Sequence, residues 1–302
     1  RKQAADLRKS AESCETARKK MEKQGWDWNV IEDEQHRMRE LVKTFDDCAS
    51  WKLAPGEAEQ ALAQAHSAGV QQAAAATLRA AGLRHICGAD ITVSQKDPTF
   101  GVGVLVVVDV GSLDVIHEEI TLLSREDLAR SYVPGFLAVR EAPVVCTLVR
   151  NLAKARPDLC IENSAPQLLM CDGNGILHPR RCGLACHVGV ALDVACVGVA
   201  KRLYDVEGLP ETSALRQPAT LPEDHARWIA LGALGAEPLG AAVLPPKPAI
   251  NPVYVSTGHR VSLATSILAV LATMRHRVPE PTRRADLRGR ALVRQHELAL
   301  SQ

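Results

Sequence analysis

The strongest constraint on the fold is a pair of unbroken apolar runs, residues 168–171 (Leu-Leu-Met-Cys) and 194–200, separated by a helix-like segment at about 182–192. A strand that is apolar at every position is buried on both faces. Two such strands joined through a helix belong to the parallel interior of an α/β sheet. Upstream, three extended runs at 85–92, 102–110 and 113–120 follow one another through short connections, so antiparallel hairpin neighbours are expected. Between the two groups, Leu137, Val144, Val145, Leu148, Val149 and Leu152 share one helical face, with Pro143 expected to kink the helix or start a new one. A last strand at 253–256 is expected to enter a turn at Thr257-Gly258-His259. Ser262 then caps a helix with Leu263, Ile267, Val270, Leu271 and Met274 on its apolar face.

Three meander strands, a helix, then alternating strands and helices is the order of an α/β, ribonuclease H-like mixed sheet flanked by helices. An N-terminal helical extension precedes it. Residues 1–56 read as a charged helical or partly disordered extension that contributes little core, 57–290 as the catalytic domain and 291–302 as a C-terminal tail. Residues 205–225 read as a long loop, and 244–248 (Leu-Pro-Pro-Lys-Pro) as a stiff extended one. A chain of 302 residues, 46% hydrophobic, supports one main core. A net charge of +1 excludes a polycation, so any grip on nucleic acid must be local. Residues 1–23 carry eight Lys/Arg against four acids, and residues 272–302 seven Arg against three, which are the candidate basic surfaces. Nine cysteines, an odd number scattered through apolar runs, read as free thiols of a reducing compartment, and no apolar stretch is long enough for a bilayer. The expectation is a soluble, membrane-free monomer in the cytoplasm, with nuclear or nucleolar entry left open. The chain starts at Arg1, so a targeting signal ahead of it is also left open.

The chemistry is concentrated in acids. Asp90 ends the apolar run that starts at His85, and Asp172 ends the run 168–171 just before Gly173-Asn174-Gly175. A carboxylate at the tip of a buried strand must be paired, protonated or bound to a cation. Glu141, on the helix after Gly135, can reach across the sheet edge toward both tips. Three acids from three elements suit a hard divalent ion, Mg²⁺ with Mn²⁺ as a substitute, and a metal-activated water for phosphodiester hydrolysis. His259 would bind a second metal or handle a proton, and Lys201 would stabilise phosphate charge. Taken singly, Asp172 reads equally as a turn residue, Glu141 as an exposed helical charge and the histidines as surface or core groups. The segment 182–187 (Cys-Gly-Leu-Ala-Cys-His) offers soft metal ligands but no second Cys/His pair at finger spacing.

Seven ordered blocks carry a resemblance. They are 87–92 (CGADIT), 132–141 (YVPGFLAVRE), 172–180 (DGNGILHPR), 183–189 (GLACHVG), 198–201 (GVAK), 256–259 (STGH) and 279–283 (PEPTR). In order and spacing they resemble endonuclease V over about residues 83–286. The resemblance implies a ribonuclease H-like, Mg²⁺-dependent endonuclease that cuts the second phosphodiester bond 3′ to inosine. It implies Asp90, Glu141 and Asp172 as metal ligands, with His259 completing the site and Lys201 supporting it. Tyr132-Val133-Pro134 would form the wedge that holds a strand open. Gly135, Leu137, Gly173, Gly175 and Leu184 would line the hypoxanthine pocket, and His178 and Arg283 join the substrate-binding set. The Asp-Gly-Asn-Gly and Ala-Cys-His forms resemble the eukaryotic branch, which implies single-stranded RNA containing inosine as the partner. Deoxyinosine-directed DNA repair and a non-catalytic inosine-RNA binding module are the alternatives.

Overall fold

The computed structural model describes residues 15–301 except 17, 20, 21, 24, 64–68, 131–132, 161–164, 205–208, 210–214, 216–226, 233–234 and 245–250. Tyr132, the loop 244–248 beyond Leu244 and nearly all of the loop 205–225 therefore lie outside the described residues. Helices α1 (Trp28–Leu41), α2 (Glu57–Ala63) and α3 (Val70–Ala80) lead into strands β1 (His85–Val93), β2 (Gly101–Asp109) and β3 (Val115–Leu122). Then come α4 (Arg125–Ala129), α5 (Leu137–Ala155), β4 (Leu169–Cys171), α6 (Leu184–Leu192) and β5 (Cys196–Ala200). The chain continues through β6 (Arg227–Leu231), β7 (Gly240–Leu244), β8 (Val253–His259), α7 (Leu263–Thr273) and α8 (Glu280–Ala299).

The strands form one mixed sheet in the order β3-β2-β1-β4-β5-β8-β7-β6. The first three are an antiparallel meander, β1, β4 and β5 run parallel, and β8 returns antiparallel to β5. This is the mixed α/β sheet that the apolar runs predict. Burial explains why those runs are unbroken. Val102, Val104, Val106 and Val108 of β2 pack in one core with Met170, Val197 and Ile267, while Leu105 and Val107 pack in the other with Val144, Leu148, Leu169 and Leu184. Both faces of the sheet are covered, so neither set of alternating side chains needs to be polar.

Several expectations are corrected. Pro143 does not start a new helix, because α5 runs through it from Leu137 to Ala155. Proline removes the N–H that would bond the Val139 carbonyl, and Arg130 Nη1 donates to that carbonyl instead, at 3.5 Å. Strand β8 continues through Thr257 and Gly258 to His259 rather than turning, with a register shift opposite Cys196 and Val197. Strands β6 and β7, which sequence periodicity did not disclose, extend the sheet beyond β8. Residues 1–56 do contribute core. Trp28 and Ile31 pack with Val133 and Phe136, and Trp51 and Leu53 join the main core. Few apolar residues occur there, but they are large. Residues 291–302 are not a tail, because α8 continues to Ala299 and buries Val293. Among the described residues no helix is long and apolar enough to cross a membrane.

Candidate active site

Parallel pairing of β1 with β4 aligns Ala89 with Cys171, so the next residues, Asp90 and Asp172, come side by side. Asp172 follows the end of β4 as expected, at the C-terminal edge of the parallel strands, but Asp90 is not a strand tip, because β1 runs on to Val93 and pairs Asp90 with Val104 of β2. Pairing of β4 with β5 aligns Cys171 with Gly198, and Lys201 follows the end of β5 at the same edge. The Lys201 ammonium hydrogen-bonds Asp172 Oδ2. Glu141 lies just past the first turn of α5. Burial pushes its carboxyl up to about 8, and the charges of Asp90 and Asp172 push in the same direction. Burial likewise pushes Asp90 up to about 7, assisted first by Asp172 and then by Asp286. Burial works against the Lys201 charge, but Asp172 and Asp90 outweigh it and raise the ammonium's affinity for its proton. The three acids are thus brought together.

A fourth acid, Asp286, was missed from sequence. Helix α8 is locked onto β1 by glycine on both elements: a Cβ on Gly88 would lie 2.2 Å from the Pro281 carbonyl carbon, and one on Gly289 2.5 Å from Thr92 Oγ1. Thr282, Asp286 and Gly289 fall on one helical face at i, i+4 and i+7, and Gly88, Asp90 and Thr92 on one strand face. Docking the helix at both ends therefore sets Asp286 against Asp90. The available signal was an acid at that spacing in an otherwise arginine-rich helix.

His259 is not in this cluster. It ends β8 opposite Cys196, the first residue of β5, whereas Lys201 lies beyond the last. Five residues of strand separate those ends by about 15 Å. There His259 Nδ1 accepts from the Lys43 backbone N–H at 3.3 Å, and Nε2–H donates to Asp193 Oδ1 at 3.3 Å. Because β8 runs antiparallel to β5, its last residue falls at the far edge of the sheet.

Beside the acids, Pro134, Leu137, Gly173, Asn174 and Lys201 line a cavity of about 460 Å³. A smaller pocket shares Leu137 and Asn174 with it and adds Gln35, Gly135, His178, Gly183 and Leu184. Its wall is fixed by the Gly135 carbonyl, which accepts from Gln35 Nε2 at 3.2 Å, His178 Nε2 at 3.1 Å and Arg180 Nη2 at 2.7 Å. Gly135 adopts φ +80°, a conformation in which glycine is unstrained. Gln35, from the N-terminal helix, also donates to the Cys182 carbonyl at 3.1 Å and accepts from Arg180 Nε at 2.5 Å. It too was missed from sequence. His178 Nδ1 accepts from the Arg180 backbone N–H at 3.2 Å, so the ring is neutral with its proton on Nε2, and burial holds it down to about 4.

Two expected substrate contacts stand elsewhere. Gly175 packs into the sheet, where a Cβ would lie 2.0 Å from the Thr257 carbonyl oxygen, so its glycine serves strand packing rather than a pocket wall. Arg283 donates to the buried Glu280 carboxylate at 2.6 and 2.9 Å, a partner on its own helix. The C-terminal arginine excess is spent similarly, with Arg284 on Glu280, Arg288 on Glu118 and Arg290 on Asp286.

Among the described residues no three His, Cys, Asp or Glu side chains close on one point tightly enough to hold an ion, in the acid cluster or at 182–187. In the acid cluster the Lys201 ammonium supplies positive charge. The donor set nevertheless fits a hard divalent cation. Carboxylates are buried together and hold protons near neutral pH because too little positive charge answers them, and a cation relieves that excess.

The family model for Endonuclease V matches residues 67–287. Human endonuclease V is 37% identical over 213 residues, 70% of this chain and 73% of that protein. The Thermus thermophilus enzyme is 38% identical over 245 residues, 79% and 95%. The crystal structure of the catalytic domain of human Endonuclease V superposes with a TM-score of 0.70 at 32% identity, covering 89% of this chain and 96% of that one. Ciona intestinalis Endonuclease V, in complex with a 24mer DNA containing an inosine followed by a ribo-adenosine, shares the fold with a TM-score of 0.66 at 23% identity, covering 91% and 99%.

Proposed function

This chain belongs to the endonuclease V family of phosphodiester-cleaving hydrolases, and from that premise we propose that it cuts single-stranded RNA at the second phosphodiester bond 3′ to inosine, with Mg²⁺ as cofactor and Mn²⁺ able to replace it. The observation that carries the reading is the cluster of Asp90, Glu141 and Asp172 beside a cavity that Asp172 and Lys201 both line.

Asp90, Glu141 and Asp172 would hold the ion, with Asp286 beside them. When bound, the ion supplies a water acidic enough to attack at neutral pH and neutralises charge on the leaving oxygen. Lys201 then exchanges Asp172 for phosphate oxygen, and its raised proton affinity keeps it a cation throughout. Gly135, Leu137 and Leu184 enclose the extruded base, and the glycine lets backbone approach the base edge. Pro134, which lines the cavity, would serve in the wedge that keeps the base from restacking. Extrusion costs least from a single strand. Together with the Asp172-Gly173-Asn174-Gly175 and Ala185-Cys186-His187 forms, this favours RNA. Deoxyinosine-directed DNA cleavage is the second reading, supported by the inosine-containing DNA bound in the Ciona complex.

The test is cleavage of single-stranded RNA bearing one inosine, the matching deoxyinosine DNA and unmodified controls, each with Mg²⁺ or EDTA, with the cut position mapped. Faster cutting of the RNA, at the second bond 3′ to inosine and abolished by EDTA, is expected. Faster cutting of the DNA favours repair. Oligonucleotides retained but left intact make the chain a binding module.

A further inference from the structure

Asn174 is 8% exposed, and its side-chain Oδ1 accepts no hydrogen bond. Its backbone has no freedom to seek a partner. The Asn174 carbonyl accepts from the Ala185 N–H at 3.1 Å. On either side a Cβ on Gly183 would lie 2.2 Å from that carbonyl oxygen, and one on Gly198 2.6 Å from the Asn174 carbonyl carbon. A buried amide acceptor left unanswered is destabilising and calls for a physical explanation.

Its surroundings supply one. Asn174 lines both the small pocket of Gly135, Leu137 and Leu184 and the larger cavity containing Asp172 and Lys201. Around the pocket the Gly135 carbonyl is committed to three donors, Gln35 to Gly135, Cys182 and Arg180, and both His178 nitrogens to backbone, while the Tyr204 hydroxyl accepts from the Gly135 N–H at 3.2 Å. The Asn174 Oδ1 is therefore the one buried side-chain acceptor left unanswered among the residues lining this pocket, two residues from Asp172.

We propose that Asn174 is a specificity-determining residue of the base pocket, whose Oδ1 accepts a hydrogen bond from the N1–H of hypoxanthine. The proposal rests on the inosine reading above. Adenine carries a lone pair at N1, so it would set acceptor against acceptor and leave both desolvated. Guanine shares the N1–H, so Asn174 separates oxopurines from adenine and leaves the guanine C2 amine to the apolar walls of Leu137, Ala138 and Leu184.

The experiment pairs a protein change with a substrate change. Single-turnover rates with Mg²⁺ are measured for wild type and Asn174→Ala on single-stranded RNA carrying either inosine or purine riboside, which lacks both the N1–H and the 6-oxo group. Wild type should prefer inosine about ten- to hundred-fold, the scale of one buried hydrogen bond, and the variant's preference should fall toward one. Equal fold losses on both substrates would make Asn174 structural and overturn the proposal. So would a wild-type protein that cuts both substrates equally, a comparison that stands even if the variant does not fold. A wild-type protein that neither cuts nor retains inosine RNA or the matching deoxyinosine DNA overturns the inosine reading itself, and this proposal with it.

Discussion

Asp286 on α8 faces Asp90 on β1, held there by glycine contacts at Gly88 and Gly289, and its charge helps hold the Asp90 carboxyl up at about 7. Two acids forced together by backbone packing lower stability unless something else is gained. Asp286→Asn should therefore reduce cleavage about 10–100-fold, as loss of a supporting metal-site group does. The melting temperature should stay level or rise. Single-turnover rates and thermal melts check this. An unchanged rate would confine Asp286 to its pair with Arg290.

His259→Ala should act on stability rather than on chemistry. His259 is 4% exposed and joins the Lys43 backbone to Asp193, so its loss should cost about 1–3 kcal/mol. Urea denaturation reads that loss. Cleavage at a temperature where the variant is folded should remain within about tenfold of wild type, while Asp172→Ala abolishes it. A folded His259→Ala protein without activity would mean that the histidine reaches the reacting centre.

Gln35→Ala should weaken substrate binding from a distance. Its amide ties the Gly135 carbonyl to the Cys182 carbonyl across the pocket and accepts from Arg180, so removing it deletes three hydrogen bonds, about 3 kcal/mol. KM for inosine RNA should rise more than kcat falls, because the wall and not the acid cluster is loosened. A fall in kcat alone would contradict that role.

Acid should destabilise the pocket through His178. Burial holds its folded pKa down to about 4, below the ordinary value near 6.5, so protonation favours the unfolded chain. The resulting stability is complete above about pH 6.5 and is lost as pH falls from there toward 4. Denaturation midpoints across that range should decline in wild type and decline less in His178→Gln. Parallel curves would show that other groups set the acid limb.

The strand carrying Asp90, the strand tip before Asp172, the helix carrying Glu141 and the parallel interior were all legible in the residues, because apolar periodicity is a local property that burial imposes on each element separately. The seven ordered blocks likewise located Asp172 and Lys201 at strand ends, whereas Asp90 lies within β1, which continues to Val93. The sequence by itself did not determine which edge of the sheet each end reaches. His259 closes an antiparallel strand, so it stands about 15 Å from the acids although its block matched as well as theirs. Asp286 and Gln35 join the site from helices at opposite ends of the chain, delivered by glycine-backed docking and by a buried amide. Strand direction and helix docking depend on contacts between distant residues, and only tertiary packing decides those.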